Sequence, residues 1–271
     1  MKPDIRNVLS IAGSDPSGGA GIQADLKAFS ARGTYGMAAL TALTAQNTLG
    51  VTGVHAVPAG FVADQIRAIF ADVRVDAVKI GMIANAEIAE AVADVLRPYR
   101  DDLPIVLDPV MMAKGGSPLL AADAIDAVTY KLMPVASLVT PNLPEAAALL
   151  GEATAVTRED MAEHAERLRQ LGPRAVLVKG GHLDGNDSSD VLADLTGLHW
   201  FEGRRVETRN THGTGCTLSS AIAAELAKGA SPVEAVSIAK AYLVGAIAAA
   251  NTLTVGSGHG PVQHFYDLWK S

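Results

Sequence analysis

The stretch NVLSIAGSDPSGGAGIQADLKAF, residues 7–29, passes from an apolar β-rich segment through a glycine loop into a helical pattern. Its first seven residues read as a buried strand. Ile22, Leu26 and Phe29 then fall at i, i+4 and i+7, which is one face of a helix. The same order recurs along the chain. Strand candidates follow at GMAALTAL, AVKIG, PIVLDPV, SLVTPN and AVLVKGG, and Phe61, Val62, Ile66, Ile69 and Phe70 form a helical stripe before the third strand. Near-continuous apolar strands alternating with helices predict a parallel sheet covered on both faces. The segment DVLADLTGLHWFEGRRVET, 190–208, breaks that rhythm and reads as two short strands around Thr196–Gly197, antiparallel at one sheet edge. Two long helices are expected near 214–229 and 232–251, parted by Gly229 as a C-cap and Ser231–Pro232 as a helix start. HLDGNDSSD, 182–190, is polar but too short to separate domains, so the expectation is an α/β fold in one domain, 1–271.

Composition narrows the classes of function. With 49% hydrophobic residues the chain supports a sizeable core, which excludes global disorder. A net charge of −7 without basic runs argues against a nucleic-acid or membrane surface. Phosphorylated ligands stay open, because backbone N–H groups at a helix start bind anions whatever the global charge. One cysteine permits no internal disulfide and suits a reducing compartment. The apolar run VLSIAG is too short for a signal-peptide core. AYLVGAIAAA, 241–250, falls short of the roughly 20 residues that cross a bilayer. The expected location is the cytoplasm.

Polar and glycine residues cluster after each proposed strand: GSDPSGGAG, TAQNT, GM, DPVMMAKGG, PNLPE and KGG. In a parallel sheet these ends share one edge, where ligands bind. GSDPSGGAG matches neither a P-loop nor the dinucleotide pattern. Its glycines, Gly13 among them, allow a flat ring to approach the backbone. Asp25 follows in the helix as a candidate acceptor for an amino or hydroxyl group. Gln46 offers a donor and an acceptor to a heteroaromatic ring, and Met82 a thioether for its face. Asp108 ends an apolar strand and requires a cation or donor nearby. Asn142 and Glu145 are spaced as a capping pair, yet their oxygens with that of Asp108 also suit hydrated Mg²⁺. Lys179 closes a buried strand and can neutralise phosphate oxygens.

In THGTGCTLSSAIAAELA, Gly213, Thr214, Gly215 and Cys216 occupy the first turn of a helix. Free N–H groups and the positive dipole end make that turn an anion site. Its donors would stabilise charge spreading over a phosphoryl group in transfer. The same position is expected to lower the Cys216 pKa, so that its thiolate takes a proton from an attacking alcohol.

With these residues assembled, the chain resembles the bacterial hydroxymethylpyrimidine/phosphomethylpyrimidine kinases of thiamine biosynthesis, in the ribokinase-like superfamily. The likeness runs through IAGSDPSGGAGIQADLKAFSARGTYG, TALTAQNTLGV, KIGM, LDPVM, TPNLPEAAALL, VLVKGGH and NTHGTGCTLSSAIA, nearly the whole chain. It implies a three-layer fold, a homodimer, and two ATP- and Mg²⁺-dependent steps. The alcohol of 4-amino-5-hydroxymethyl-2-methylpyrimidine is phosphorylated first, then the monophosphate. By position the resemblance assigns Gly13, Asp25, Gln46, Met82 and Val110 to the pyrimidine. It assigns Asn142, Lys179, Thr211, His212 and Thr214 to the nucleotide, Asp108 and Glu145 to the metal, and Gly213, Gly215, Cys216 and Lys179 to catalysis. Ribokinase relatives commonly carry aspartate where this chain has Cys216. Pyridoxal kinase is the nearest alternative, and a non-catalytic pyrimidine sensor is an alternative from another class.

Overall fold

The computed structural model describes residues 4–269, apart from 113–115, 117–118, 122, 182 and 184. Part of DPVMMAKGG and of HLDGNDSSD therefore lies outside the described residues. The strands are β1 (Asn7–Ser14), β2 (Tyr35–Asn47), β3 (Gly50–Ala56), β4 (Ala77–Ile80), β5 (Ile105–Leu107), β6 (Leu138–Val139), β7 (Ala175–Val178), β8 (Asp190–Asp194) and β9 (Gly197–Phe201). The helices are α1 (Gly21–Ala31), α2 (Ala59–Asp72), α3 (Ala86–Leu96), α4 (Ala124–Ala127), α5 (Leu143–Leu150), α6 (Arg158–Arg169), α7 (Thr214–Ala227) and α8 (Pro232–Ala248).

One sheet runs in the order β3-β2-β1-β4-β5-β6-β7-β8-β9, and every pairing from β2 to β7 is parallel. Successive strand residues feed two cores, as the two-residue side-chain period requires. Leu9, Val78, Ile105, Leu107, Val139 and Val176 pack with α2 to α6; Val8, Ala77, Val106, Leu138 and Ala175 pack with α1, α7 and α8. This is the expected three-layer arrangement, and β8 and β9 form the expected antiparallel edge.

The opposite edge departs from expectation. The second strand continues to Asn47 and turns into β3, an antiparallel hairpin, so Gln46 lies on a strand and not in a loop. GVTGVHA carries two glycines and is almost wholly exposed, so it has no buried face for an apolar alternation to mark. A second departure concerns hydropathy. Pro232–Thr252 is long and apolar enough to cross a membrane by length and composition, with mean hydropathy 1.6. In the fold, α8 lies along α7 and buries Ala235, Val236, Ala239, Tyr242 and Ala246.

Beneath the strand ends sits a buried ion pair. Lys79 on β4 and Asp25 on α1 are both fully buried, and Lys79 Nζ donates to the two carboxylate oxygens at 2.8 and 2.9 Å. Ser10 on β1 and Ser220 on α7 donate to the same carboxylate at 2.6 and 2.7 Å. Burial opposes the charge on Lys79, yet Asp25, Cys216 and Asp108 hold its ammonium above the ordinary lysine range. Asp25 was expected to face substrate. Its oxygens are occupied inside the core instead, and it does not line the cleft described below. The sequence carries the cue: Asp25 shares the helical stripe of Ile22, Leu26 and Phe29, a face that packs inward. Removing one partner of such a pair leaves a charge uncompensated. Lys79→Met is expected to destabilise the protein by about 3–5 kcal/mol, and Lys79→Met/Asp25→Leu to recover much of that loss, measured by denaturant unfolding.

Candidate active site

A cleft of about 910 Å³ opens along the carboxyl edge of the parallel strands. It gathers Gly13, Gln46, Met82 and Val110 with Asp108, Asn142, Glu145, Lys179 and the run Thr211–Cys216. All the expected site residues except Asp25 therefore meet in one cavity.

At one end Gly13 and Met82 form an apolar wall beside the Gln46 amide. A Cβ on Gly13 would lie 2.8 Å from Met82 Sδ, so glycine is what lets the thioether close on the backbone. Gln46 reaches the cleft from the exposed hairpin edge. Its Oε1 lies 3.2 Å from Thr44 Oγ1 and its Nε2 lies 3.4 Å from His212 Nε2. His212 Nε2 is also 2.7 Å from Asp15 Oδ2. His212 was expected on the nucleotide side; the fold sets it beside Gln46 because Asp15 engages its ring.

The other end is charged. Asp108 is 1% exposed and receives Lys179 Nζ at 2.9 Å, with hydroxyl contacts from Thr140 at 3.2 Å and Ser219 at 3.4 Å. The cation that its burial demanded is present. Asn142 and Glu145 form the capping box that starts α5, with Glu145 N–H donating to Asn142 Oδ1 at 2.9 Å and Asn142 N–H to Glu145 Oε2 at 2.8 Å. Glu145 Oε2 also lies 3.9 Å from Lys179 Nζ. Burial pushes the Glu145 carboxyl up to about 7; Lys179 pulls it back and Asp108 adds to the rise. A bound cation would lower it. Two carboxylates with room for water and phosphate oxygens fit Mg²⁺. Among the described residues no group of three or more His, Cys, Asp or Glu forms an all-protein cage.

Helix α7 starts between these two ends. Its N-cap, Gly213, has φ 78°, and no side chain among the described residues caps it. Thr214 N–H turns back to Thr211 O at 3.4 Å, which leaves the N–H groups of Gly215 and Cys216 facing the cleft. A Cβ on Gly215 would stand 3.4 Å from both Asp108 Oδ2 and Lys179 Nζ, so the start of α7 lies directly against the ion pair. Cys216 follows, half-buried. The helix-start position led to an expected lowered thiol. Burial outweighs it and pushes Cys216 up to about 11, even though Lys79 acts in the opposite sense.

Two further contacts hold the site together. Gly213 leaves no space for a side chain: a Cβ there would stand 1.8 Å from Gly19 O, so loop 15–20 rests on the turn itself. Residues 256–261 tie the β2–β3 hairpin to the chain that enters α7. His259 N–H donates to Thr48 O at 2.9 Å in the hairpin, and His212 N–H donates to Gly260 O at 3.0 Å. Sequence reasoning missed Asp15, Thr44 and this brace, because the contacts that tie them into the site, Asp15 to His212, Thr44 to Ser14 and His259 to Thr48, join residues distant in the chain.

A glycine-walled helix start against a lysine–carboxylate pair, at the strand ends of a ribokinase-like sheet, defines a small-molecule phosphotransferase. The phosphomethylpyrimidine kinase family model matches residues 15–263. A hydroxymethylpyrimidine/phosphomethylpyrimidine kinase of Rhizobium meliloti is 55% identical over 97% of this chain and 98% of its own. The crystal structure of a phosphomethylpyrimidine kinase from Clostridium difficile is similar with TM-score 0.79 and 44% identity, over 89% of this chain and 99% of that one. A pyridoxal kinase from Staphylococcus aureus in complex with AMP-PCP and pyridoxal gives TM-score 0.88 at 35% identity, over 97% and 95%. The chain belongs to the phosphomethylpyrimidine kinase family, and it is a kinase.

Gly213→Ala forces a Cβ into the Gly19 carbonyl at a left-handed φ. It is expected to lower kinase turnover at least tenfold and to lower the melting temperature, measured by ADP release and thermal unfolding.

Proposed function

We propose that this kinase moves the γ-phosphoryl group of ATP to the hydroxymethyl oxygen of 4-amino-5-hydroxymethyl-2-methylpyrimidine, and then phosphorylates the resulting monophosphate to the diphosphate. The observation that carries the reading is the meeting of two surfaces in one cleft: the uncapped α7 start on the Asp108–Lys179 pair, and Gln46 with the Met82 thioether. The names of the relatives give the substrate class.

The chemistry follows from the residues. First-turn N–H groups of α7 receive the oxygens of the migrating group, where charge spreads in a loose transition state. Lys179 balances that charge. Asp108 and Glu145 would hold Mg²⁺, which when bound neutralises phosphate oxygens. Met82 packs a ring face, and Gln46 binds a ring edge bearing both donor and acceptor. Cys216 Sγ accepts the hydroxyl proton in the first step. In the second step the attacking oxygen belongs to a phosphate, which carries its own negative charge and needs no base.

A second reading, phosphorylation of pyridoxal, is favoured by the likeness to the Staphylococcus aureus enzyme. We further infer a homodimer in the cytoplasm, with the exposed Leu43, Leu49 and Val54 of the β2–β3 hairpin facing a second copy.

ADP release with the pyrimidine alcohol, its monophosphate and pyridoxal tests the substrate; a preference for pyridoxal would reverse the assignment. Cys216→Ala is expected to slow the first step about 100-fold or more while calorimetric binding of the alcohol persists. Undiminished turnover would remove the base role. The thiolate fraction grows as pH rises toward about 11. Wild-type kcat/KM for the alcohol should therefore climb about tenfold per pH unit above neutrality, and this limb should be missing with the monophosphate as acceptor.

A further inference from the structure

Asp15, His212, Gln46 and Thr44 form a chain of contacts whose hydrogens can be assigned from their partners. Asp15 Oδ1 accepts from Ser17 N–H at 2.9 Å and Ser17 Oγ at 2.7 Å, and Oδ2 from the N–H groups of Ala20 at 2.9 Å and Gly19 at 3.2 Å. Burial alone would raise this carboxyl, but the bonds from His212 and Ser17 hold it below the ordinary aspartate range. An ionised carboxylate only accepts. The His212 nitrogen 2.7 Å away therefore carries a hydrogen and donates it. At the other end, Thr44 Oγ1 has one hydrogen, and Ser14 O takes it at 2.8 Å. Toward Gln46 at 3.2 Å, Thr44 is left as an acceptor.

Both ends now oppose the amide as it stands. Gln46 Nε2 faces a nitrogen that donates, and Oε1 faces a hydroxyl whose hydrogen is taken. Turning the amide by 180° removes both clashes. Nε2 then donates to Thr44 Oγ1, and Oε1 lies beside the His212 N–H. That one hydrogen goes first to Asp15 at 2.7 Å and reaches Gln46 only as the longer arm. We propose that Asp15 and His212 are positioning residues that lock the Gln46 amide with its oxygen toward His212 and its nitrogen toward Thr44, and that this fixed polarity selects an aminopyrimidine over pyridoxal.

The selection follows from the two ring edges. Beside its hydroxymethyl group the pyrimidine carries an amino group and then a ring nitrogen, a donor followed by an acceptor. The locked amide answers in kind, its oxygen taking the amino hydrogen and its N–H reaching the ring nitrogen. Pyridoxal carries a formyl oxygen where the amino group stands, so two acceptors would face each other. An amide free to rotate would serve both rings.

This inference rests on the reading of the substrate given above, and its test separates the two. The experiment measures kcat/KM for the pyrimidine alcohol and for pyridoxal in the wild type, His212→Phe and Thr44→Val. Each variant is expected to raise KM for the pyrimidine more than it lowers kcat, and to cut the pyrimidine-to-pyridoxal ratio about tenfold, the effect of one mispaired hydrogen bond. Equal slowing with both alcohols, at an unchanged ratio, would reveal a merely structural role and overturn the lock. A wild type that phosphorylates neither alcohol would refute the substrate instead. The polarity has a test that needs no substrate and no variant: the ¹⁵N spectrum of the labelled wild-type protein should show His212 Nε2 protonated at neutral pH. A bare Nε2 would overturn the proposal even if His212→Phe failed to fold.

Discussion

The buried Asp25 carboxylate is the point on which the site is built. It accepts from β1 through Ser10, from β4 through Lys79 and from α7 through Ser220, while belonging to α1 itself. Four elements whose ends lie at or beside cleft-lining residues are thus referred to one charge that water does not reach. A carboxylate in that setting is tolerated only with every lone pair engaged, so the geometry has little freedom to drift. The precision of the cleft begins one layer below it.

Above that layer, the fold converts chain order into chemistry. Parallel strands end on one edge, so each contributes a different capability there: a bare backbone at Gly13, a thioether at Met82, a carboxylate at Asp108 and an ammonium at Lys179. Helix α7 adds unpaired N–H groups to the same edge. Phosphoryl transfer asks mainly for positioning and charge stabilisation, and one edge gathers groups suited to both.

Most of this was legible in the sequence, for identifiable reasons. The alternation from NVLSIAG onward announced a covered parallel sheet, and the glycine and polar clusters at strand ends announced the edge. Asp108 had to find a cation and found Lys179. What was hidden depended on context. Strand β3 has no buried face to print a period on, so the hairpin that carries Gln46 went unseen. Asp25 resembles a ligand by charge alone, but its place on an apolar helical stripe turns it into the core. Cys216 looked acidic because a helix start can be read locally, whereas the desolvation that opposes it comes from the packed tertiary structure. Paired side chains such as Asp15 and His212, 197 positions apart, meet only when the chain is folded.

The brace formed by 256–261 has a wider meaning. It touches the hairpin through Thr48 and the anion turn through His212, two regions from opposite parts of the chain. One short ribbon therefore sets the gauge between the hairpin that carries Gln46 and the start of α7. Evolution can retune either end by altering the ribbon, but it cannot retune one without the other noticing.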